Sequence, residues 1–501
     1  MINIYFLGCF HTLFEMTKVK YIASVSTAVV ECLTGAGLIF GWPAIQYVLE
    51  KEKYFLDCPE IVNKNTSDVT TNCTSENYDY QKSQILFVYI IASLTLSFST
   101  LFNGWFFDKF GTFSARCLAS TLFLSGCLMV IFSEPKFSGI LYPAMCCFSV
   151  GGILLLVTNI QTGNLFAKGR SSIITLLNGS LDSSSFMFLL VKMMYNSGLT
   201  LSFIFTLFAA LTAFQVARTL FLMPVKIIPF PLPKNFKLGL FAKKQNYEKD
   251  NEMTDLNKDD GEVQEKEAML EPSIKKTGQL MKCFTNISFW LNVMHIGLLQ
   301  VRNYFYLGTV KGHLESLSKD ENIFSYLTVF GFCQLFGACF APLNGILLDV
   351  FMKVFGKNYK PEAAKMRALS ISLLTTSMLG VVFSISCSVN SLNVQYISFV
   401  LQVVFRSFLY GGSASFIALS FPGECFGKLY GVTMTVAGVI GLLLFPLKSL
   451  HANLEYDFNV INNSFVVLCA LTLVHPICLW LKSNKIQGSV SNDCDDKKEM
   501  I

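Results

Sequence analysis

The sequence predicts an all-α membrane protein with twelve transmembrane helices arranged in two six-helix halves. Three observations predict it. Of 501 residues, 52% are apolar and 15% charged, and the mean hydropathy is +0.49, a balance soluble chains of this length seldom reach. Apolar stretches near the ~20 residues that cross a hydrocarbon core recur along the whole chain. The third observation is a repeat. Asn103-Gly104-Trp105-Phe106-Phe107-Asp108 is echoed by Asn344-Gly345-Ile346-Leu347-Leu348-Asp349, with Asp349 lying 241 positions after Asp108. Gly151-Gly152 followed by Gly169-Arg170 is echoed in turn by Gly411-Gly412 followed by Gly427-Lys428. Two landmarks in one order argue for duplicated halves.

Taken in order, residues 1–20 carry an apolar run from Ile2 to Phe14 without the small-residue cleavage site of a signal peptide. They are expected to form a cytosolic extension, and Met16 opens a second plausible start. The first half, 21–222, has spans near 21–44, 84–106, 114–132, 138–161, 171–193 and 199–222. Its polar loop, 45–83, holds Cys58, Cys73 and the sequons Asn65-Thr66-Ser67 and Asn72-Cys73-Thr74. The loop is therefore expected outside the cell, glycosylated at Asn65 or Asn72 and compatible with a Cys58–Cys73 disulfide. Residues 223–283 open with Pro229, Pro231 and Pro233 and turn charge-rich from Lys243 to Lys276. Such a composition buries too little apolar surface to fold and reads as a disordered cytosolic linker.

The second half, 284–482, has spans near 287–310, 323–347, 366–388, 393–418, 429–447 and 463–482, and 483–501 form a polar cytosolic tail. Lys109, Arg116, Lys168, Arg170, Lys353, Lys357, Lys360, Lys365 and Arg367 all fall on one side of this topology. The positive-inside rule makes that side cytosolic, and an even number of spans puts both termini there.

Several functions are disfavoured. The net charge of +5 is mild, so nucleic acid is not an expected partner. The five histidines are scattered without metal-ligand spacing, no phosphate-binding Gly-Lys-Ser/Thr loop exists, and no catalytic constellation appears. Neither metal, cofactor nor enzymatic activity is expected.

The chemistry lies in polar residues inside apolar spans. A charge there costs roughly 2.5–3.5 kcal/mol on insertion scales, so it faces protein or water. Ser24, Thr27, Glu31 and Thr34 share one helical face of the first span, as do Ser171, Thr175, Asn178, Asp182 and Ser185 in the fifth. Gln395, Ser398, Gln402 and Arg406 repeat the pattern in the tenth. The fourth supplies Asn159 and Gln161, and the seventh supplies His295, Gln300 and Arg302. Such residues either line a cavity or join helices within the bundle. Glu31 and Arg406, from different halves, are expected to face each other across the cavity.

Gly104-x-x-x-Asp108-Lys109-x-Gly111 resembles the signature between helices 2 and 3 of the major facilitator superfamily. That resemblance implies helices 1, 4, 7 and 10 around a central cavity. It also implies a gating role for Gly104, Asp108, Lys109, Arg116 and Asp349, with Gly104 permitting close helix packing. Phe40-Gly-Trp-Pro43, Asn178-Gly-Ser-Leu-Asp182-Ser-Ser-Ser185, Val216-Ala-Arg-Thr219, Ile228-Pro-Phe-Pro-Leu-Pro233 and Phe405-Arg-Ser-Phe-Leu-Tyr-Gly411 narrow the likeness. Together they resemble the equilibrative nucleobase transporter branch of solute carrier family 43. The resemblance implies facilitative, sodium-independent uniport of adenine, guanine and hypoxanthine by a plasma-membrane protein, expected to be monomeric. The sister branch carries large neutral amino acids, and Gln300-Val-Arg302 is closer to that side. Gln402, Asn159 and Gln161 each offer a donor and an acceptor to a purine edge, and Arg406 can fork onto O6 and N7. Glu31 with Arg302 or Arg406 would equally suit a zwitterion. Glu31, Asn159, Gln161, Asp182, Gln300, Arg302, Gln402 and Arg406 are the expected substrate-binding set.

Overall fold

A computed structural model describes residues 2–58, 60–62, 69–71, 73–166, 170–230, 232, 233, 236, 238, 239, 280–318, 323–422, 425–453 and 458–498. The sequons' Asn65 and Asn72 and most of the linker, 240–279, lie outside them.

Among the described residues nine helices are long and apolar enough to cross a membrane, and ten if the bent first pair counts as one span. Ser75–Ile131 holds two of the expected spans in one helical run, which makes eleven. The twelfth is Ile287–Leu317, whose Gln300, Arg302, Asn303, Lys311 and His313 make it too polar to stand out by hydropathy alone.

Span 1 is Ile2–Gly35, the tight turn Leu38–Gly41 and Trp42–Lys51, bent by 48°. Its helix includes the expected extension, so residues 2–20 continue the span. Spans 2 and 3 divide at Gly111, whose φ of +78° suits a residue without a Cβ. Span 4 is Leu141–Ile160, continued by the turn Gln161–Leu165. Span 5 is Arg170–Ser183 with Phe186–Asn196, and span 6 is Leu201–Leu222. In the second half, span 7 is Ile287–Leu317, span 8 is Ile323–Leu335 with Gly337–Gly356, span 9 is Pro361–Ser388 and span 10 is Leu392–Ser420. Span 11 is Phe426–Ile440 extended through Leu444–Asn453, and span 12 is Phe458–Leu471 with Val474–Lys498. The expected tail is therefore helical to Lys498.

Spans 1, 5 and 8 break in mid-course, and serine hydroxyls of span 5 take up backbone groups freed in spans 1 and 8. They belong to the serine run after Asp182. Ser183 Oγ donates to the Leu335 carbonyl (2.7 Å) and accepts from the Ala338 amide (2.8 Å), the two groups freed where span 8 interrupts. Ser184 Oγ accepts from the Gly37 amide at 2.7 Å, where span 1 turns. A backbone group left bare in a membrane costs several kcal/mol, so these hydroxyls permit the breaks. Close approach helps: a Cβ on Gly152 would lie 2.3 Å from the Ala36 carbonyl oxygen, so spans 1 and 4 touch at backbone distance.

The start of the linker is packed rather than disordered. Gln161 Oε1 accepts from the Ile228 amide (2.8 Å), Asn164 Nδ2 donates to the Ile228 carbonyl (2.9 Å), and Thr112 donates to the Lys226 carbonyl (3.0 Å). Tyr21 donates to the Phe236 carbonyl at 2.8 Å, and Leu165, Ile228 and Leu238 form a small apolar cluster. Lys226, Ile228 and Phe236 thus strap the ends of spans 1, 3 and 4, at the end opposite a two-stranded hairpin, Glu60–Val62 with Val69–Thr71. Cys58 and Cys73 are bonded beside that hairpin. The molecule thus has a linker end and a disulfide end.

Candidate transport site

Buried charge falls into separate groups, and the grouping differs from the one expected. Glu31 is fully buried among spans 1, 3, 4 and 6. Its Oε1 accepts from Arg116 Nη2 at 2.5 Å; its Oε2 accepts from Arg218 Nη1 at 2.6 Å and Asn159 Nδ2 at 2.8 Å. Asn159 Oδ1 returns the favour, accepting from Arg116 (3.1 Å) and Arg218 (2.6 Å). Thr219 and Thr27 take the two Nε–H groups at 2.8 and 2.9 Å. One carboxylate between two guanidiniums is a closed network inside the first half.

Glu31 therefore does not face Arg406. Arg116 is a buried member of this network and does not sit at the surface of the hairpin. Asn159 is likewise committed, and Gln161 holds the strap at the linker end, bonded to Thr112 (2.9 Å) and Ile228. Sequence reasoning passed over Arg218 as a site residue, although a lone arginine within apolar span 6 carried the same signal as Glu31.

Arg406 is paired with Asp182, Nη2 to Oδ1 at 2.9 Å, joining span 10 to span 5 across the two halves. Its guanidinium carbon stands 3.7 Å from the centroid of the Phe40 ring, which the turn in span 1 presents. That stacking lowers the cost of a buried cation. Nη1 donates to Gln334 Oε1 (3.4 Å), Gln334 Nε2 donates to Gln402 Oε1 (2.6 Å), and Gln402 Nε2 donates to Asn303 Oδ1 (3.0 Å). On the same face of span 7, Gln300 Nε2 donates to Ser97 Oγ at 2.9 Å, and the Ser97 and Tyr304 hydroxyls are 3.3 Å apart. Asp182, Gln300, Gln402 and Arg406 thus meet in one central layer contributed by both halves. Phe40, Ser97, Asn303, Tyr304 and Gln334 complete it; none was marked for binding, because neutral residues inside a helix give no signal of which neighbour they meet.

Arg302 stands apart. Its Nε donates to Ser384 Oγ at 2.9 Å, and the rings of Phe383, Phe465 and Tyr306 lie 4.6, 5.0 and 5.6 Å from its guanidinium carbon. It is held by aromatic faces between spans 7, 9 and 12, away from Asp182 and Arg406.

The hairpin residues lie at the linker end. Asp108 and Asp349 are exposed, and the cation acting on Asp108 is Lys428, at the start of span 11 in the other half. Lys109 lies 5.0 Å from the Trp105 ring. Nothing lies within 4 Å of a Cβ placed on Gly104, so the close helix packing expected of it is absent. At the disulfide end the halves are pinned together: Lys311 pairs with Glu50 and Glu315, and Lys82 with Glu315 at 2.9 Å. Buried Lys192 donates to the Phe324 carbonyl at 3.1 Å.

Comparison with known proteins accords with this architecture. The family model described as Major Facilitator Superfamily matches residues 27–446. Equilibrative nucleobase transporter 1 of Bos taurus is 37% identical over 474 residues, covering 91% of this chain and 95% of that protein. Large neutral amino acids transporter small subunit 3 of Homo sapiens is 26% identical, covering 84% and 86%. Among solved structures, peptide transporter POT in complex with sulfate superposes with a TM-score of 0.55 at 13% identity, covering 93% and 95%. The inward open xylose transporter XylE from E. coli gives 0.55 at 11%, covering 92% and 95%. These two share the fold. A membrane transporter rather than an enzyme, the chain belongs to the Major Facilitator Superfamily, in the branch of solute carrier family 43 that holds the equilibrative nucleobase transporter.

Proposed function

We propose that the protein carries purine nucleobases such as adenine, guanine and hypoxanthine down their gradients by alternating access, without sodium or another driving ion. The observation that carries this reading is the charge balance of the central layer. Asp182 and Arg406 neutralise each other, and what surrounds them is neutral: four amides, a hydroxyl pair and the Phe40 ring. A flat, uncharged heterocycle with a mixed donor–acceptor edge suits such a layer, and it brings no charge that a counter-ion must balance. The 37% identity to a nucleobase transporter supports the same substrate class.

The second reading is uniport of large neutral amino acids, favoured by the more distant relative. A zwitterion needs a carboxylate partner and an ammonium partner that are not already spent on each other. Arg302, the residue most suggestive of that branch, is enclosed by Phe383, Phe465 and Tyr306.

The test is radiolabelled adenine uptake by cells expressing the full chain. Unlabelled hypoxanthine should compete, leucine should not, and replacing sodium with choline should leave the rate unchanged. Competition by leucine alone would replace this reading with the second. We further propose a monomer in the plasma membrane with the linker end and both termini in the cytosol. Glycosidase treatment should then increase gel mobility through loss of sugar at Asn65 or Asn72.

A further inference from the structure

Five buried polar atoms of the central layer have no hydrogen-bond partner among the described residues: Arg406 Nη2 and Asp182 Oδ1, which meet as the ion pair, Arg406 Nε beside them, and the two neutral amide atoms Gln300 Oε1 and Asn303 Nδ2. Gln300 and Asn303 stand three residues apart on span 7, one helical step along a single face. Which atom of each amide is left over follows from the chemistry of the neighbours.

Arginine has donors only, so the Gln334 atom toward Arg406 Nη1 is an oxygen. The Gln334 NH₂ then faces Gln402 and obliges it to turn its oxygen (2.6 Å), and the Gln402 NH₂ obliges Asn303 to do the same (3.0 Å). The chain Arg406 → Gln334 → Gln402 → Asn303 runs in one direction, and its last member can offer only N–H. Gln300 is fixed in the opposite sense. Ser97 Oγ donates to the Ser93 carbonyl at 3.3 Å, so toward Gln300 it acts as an acceptor. Gln300 therefore spends its NH₂ on Ser97 and leaves its oxygen.

We infer that Gln300 and Asn303 are the residues that read the substrate edge, Gln300 accepting one hydrogen bond and Asn303 donating the next. The inference rests on the nucleobase reading above. A purine offers the complement: adenine has the 6-amino donor beside the ring acceptors N1 and N7, and hypoxanthine has N1–H beside O6. The same pair accepts either base by a small rotation, so the device selects an adjacent donor and acceptor rather than one base. Arg406, three bonds away, acts as a positioning residue that sets the direction of the whole chain.

The experiment is uptake of labelled adenine into cells expressing the full chain, with surface abundance measured in parallel. Competitors are adenine, unsubstituted purine, 1-deazaadenine and 7-deazaadenine. In the wild type, purine and one of the two deaza analogues should compete about tenfold to a hundredfold less well than adenine, the scale of a lost hydrogen bond that leaves a buried partner bare. In Asn303→Leu the adenine affinity should fall by a similar factor, and the sensitive deaza analogue should then compete as well as adenine. In Gln300→Met the same should hold for purine.

Additive losses, with the analogue still weaker than adenine in Asn303→Leu, would overturn the assignment while leaving nucleobase transport standing. A wild type that takes up leucine and no adenine would remove the nucleobase reading and the inference with it. If neither variant reaches the surface, the wild-type series decides alone. Equal competition by purine, or by both deaza analogues, would then overturn the inference, and the graded loss would support it.

Discussion

Replacing Glu31 with glutamine should damage folding and leave substrate affinity nearly untouched. Glu31 is the single carboxylate between Arg116 and Arg218, so Glu31→Gln leaves two guanidiniums facing each other with no anion. All three side chains are at most 1% exposed, and water cannot screen the pair. Breaking a buried ion pair by removing one partner costs about 3–5 kcal/mol. At roughly 2 °C per kcal/mol, the scale for large domains, melting should fall by about 6–10 °C. The assay is thermal loss of the monodisperse peak in detergent, alongside adenine KM for whatever reaches the surface. Adding Arg218→Gln should recover part of the loss, on the order of 1–3 kcal/mol, because the remaining neutral amides and Arg116 make a less repulsive set. Wild-type melting in Glu31→Gln, or a large rise in KM at normal surface abundance, would refute this assignment and return Glu31 to the substrate path.

Three other substitutions probe the remaining groups. Asp182→Asn should reduce adenine uptake at least tenfold per molecule at the surface, because Arg406 loses its partner and its aim on Gln334; unchanged uptake would remove the cross-half pair from the mechanism. Lys311→Met should loosen the disulfide end, and a membrane-impermeant thiol reagent applied to that side should label a cysteine at Ser97 faster than in the parent. Equal labelling rates would show that Phe324 and Lys192 hold that end without the ion pairs. Gln161→Ala removes the acceptor for the Ile228 amide, so protease should cleave near 225–239 faster in the folded protein while adenine KM stays constant.

The duplicated hairpins and the apolar spans made the fold legible, because hydropathy needs no knowledge of neighbours. Breaks in spans 1, 5 and 8 were not legible. They depend on Ser183 and Ser184 meeting backbone groups of other helices, which no local pattern encodes. The site was half legible for a related reason. A charge inside an apolar span announces itself, so Glu31, Asp182 and Arg406 stood out. Periodicity gives the face of a helix and leaves open which opposite charge that face meets. Glu31 found Arg116 and Arg218 within its own half, and Arg406 found Asp182. Asn303 and Gln334 gave no warning, since neutral amides in helices are common and only the hydrogen-bond chain marks them.

The placement of these groups sets an order of costs for the motion that the proposed function requires. If the halves rock about the central layer, the disulfide end must open while the linker end closes. At the disulfide end the Lys82–Glu315 pair reaches water, with side chains 47% and 27% exposed, whereas the Lys311–Glu50 pair is largely buried, at 6% and 13%. Water replaces the Lys82–Glu315 contact readily, at about 0–1 kcal/mol, and reaches Lys311 and Glu50 only as that end opens. The Glu31 network belongs to one half throughout and moves as a unit, so its high cost of disruption is never met. Asp182–Arg406 bridges the halves and is nearly sealed from water, with side chains 9% and 1% exposed. Separating it without a replacement would leave two bare charges, at several kcal/mol. Opening a gate therefore wets the ion pairs that it parts, whereas parting the central pair inside the bundle would strand both charges. The layer is then best kept together as the pivot, with the substrate bound beside Gln300 and Asn303 while the surrounding helices exchange sides.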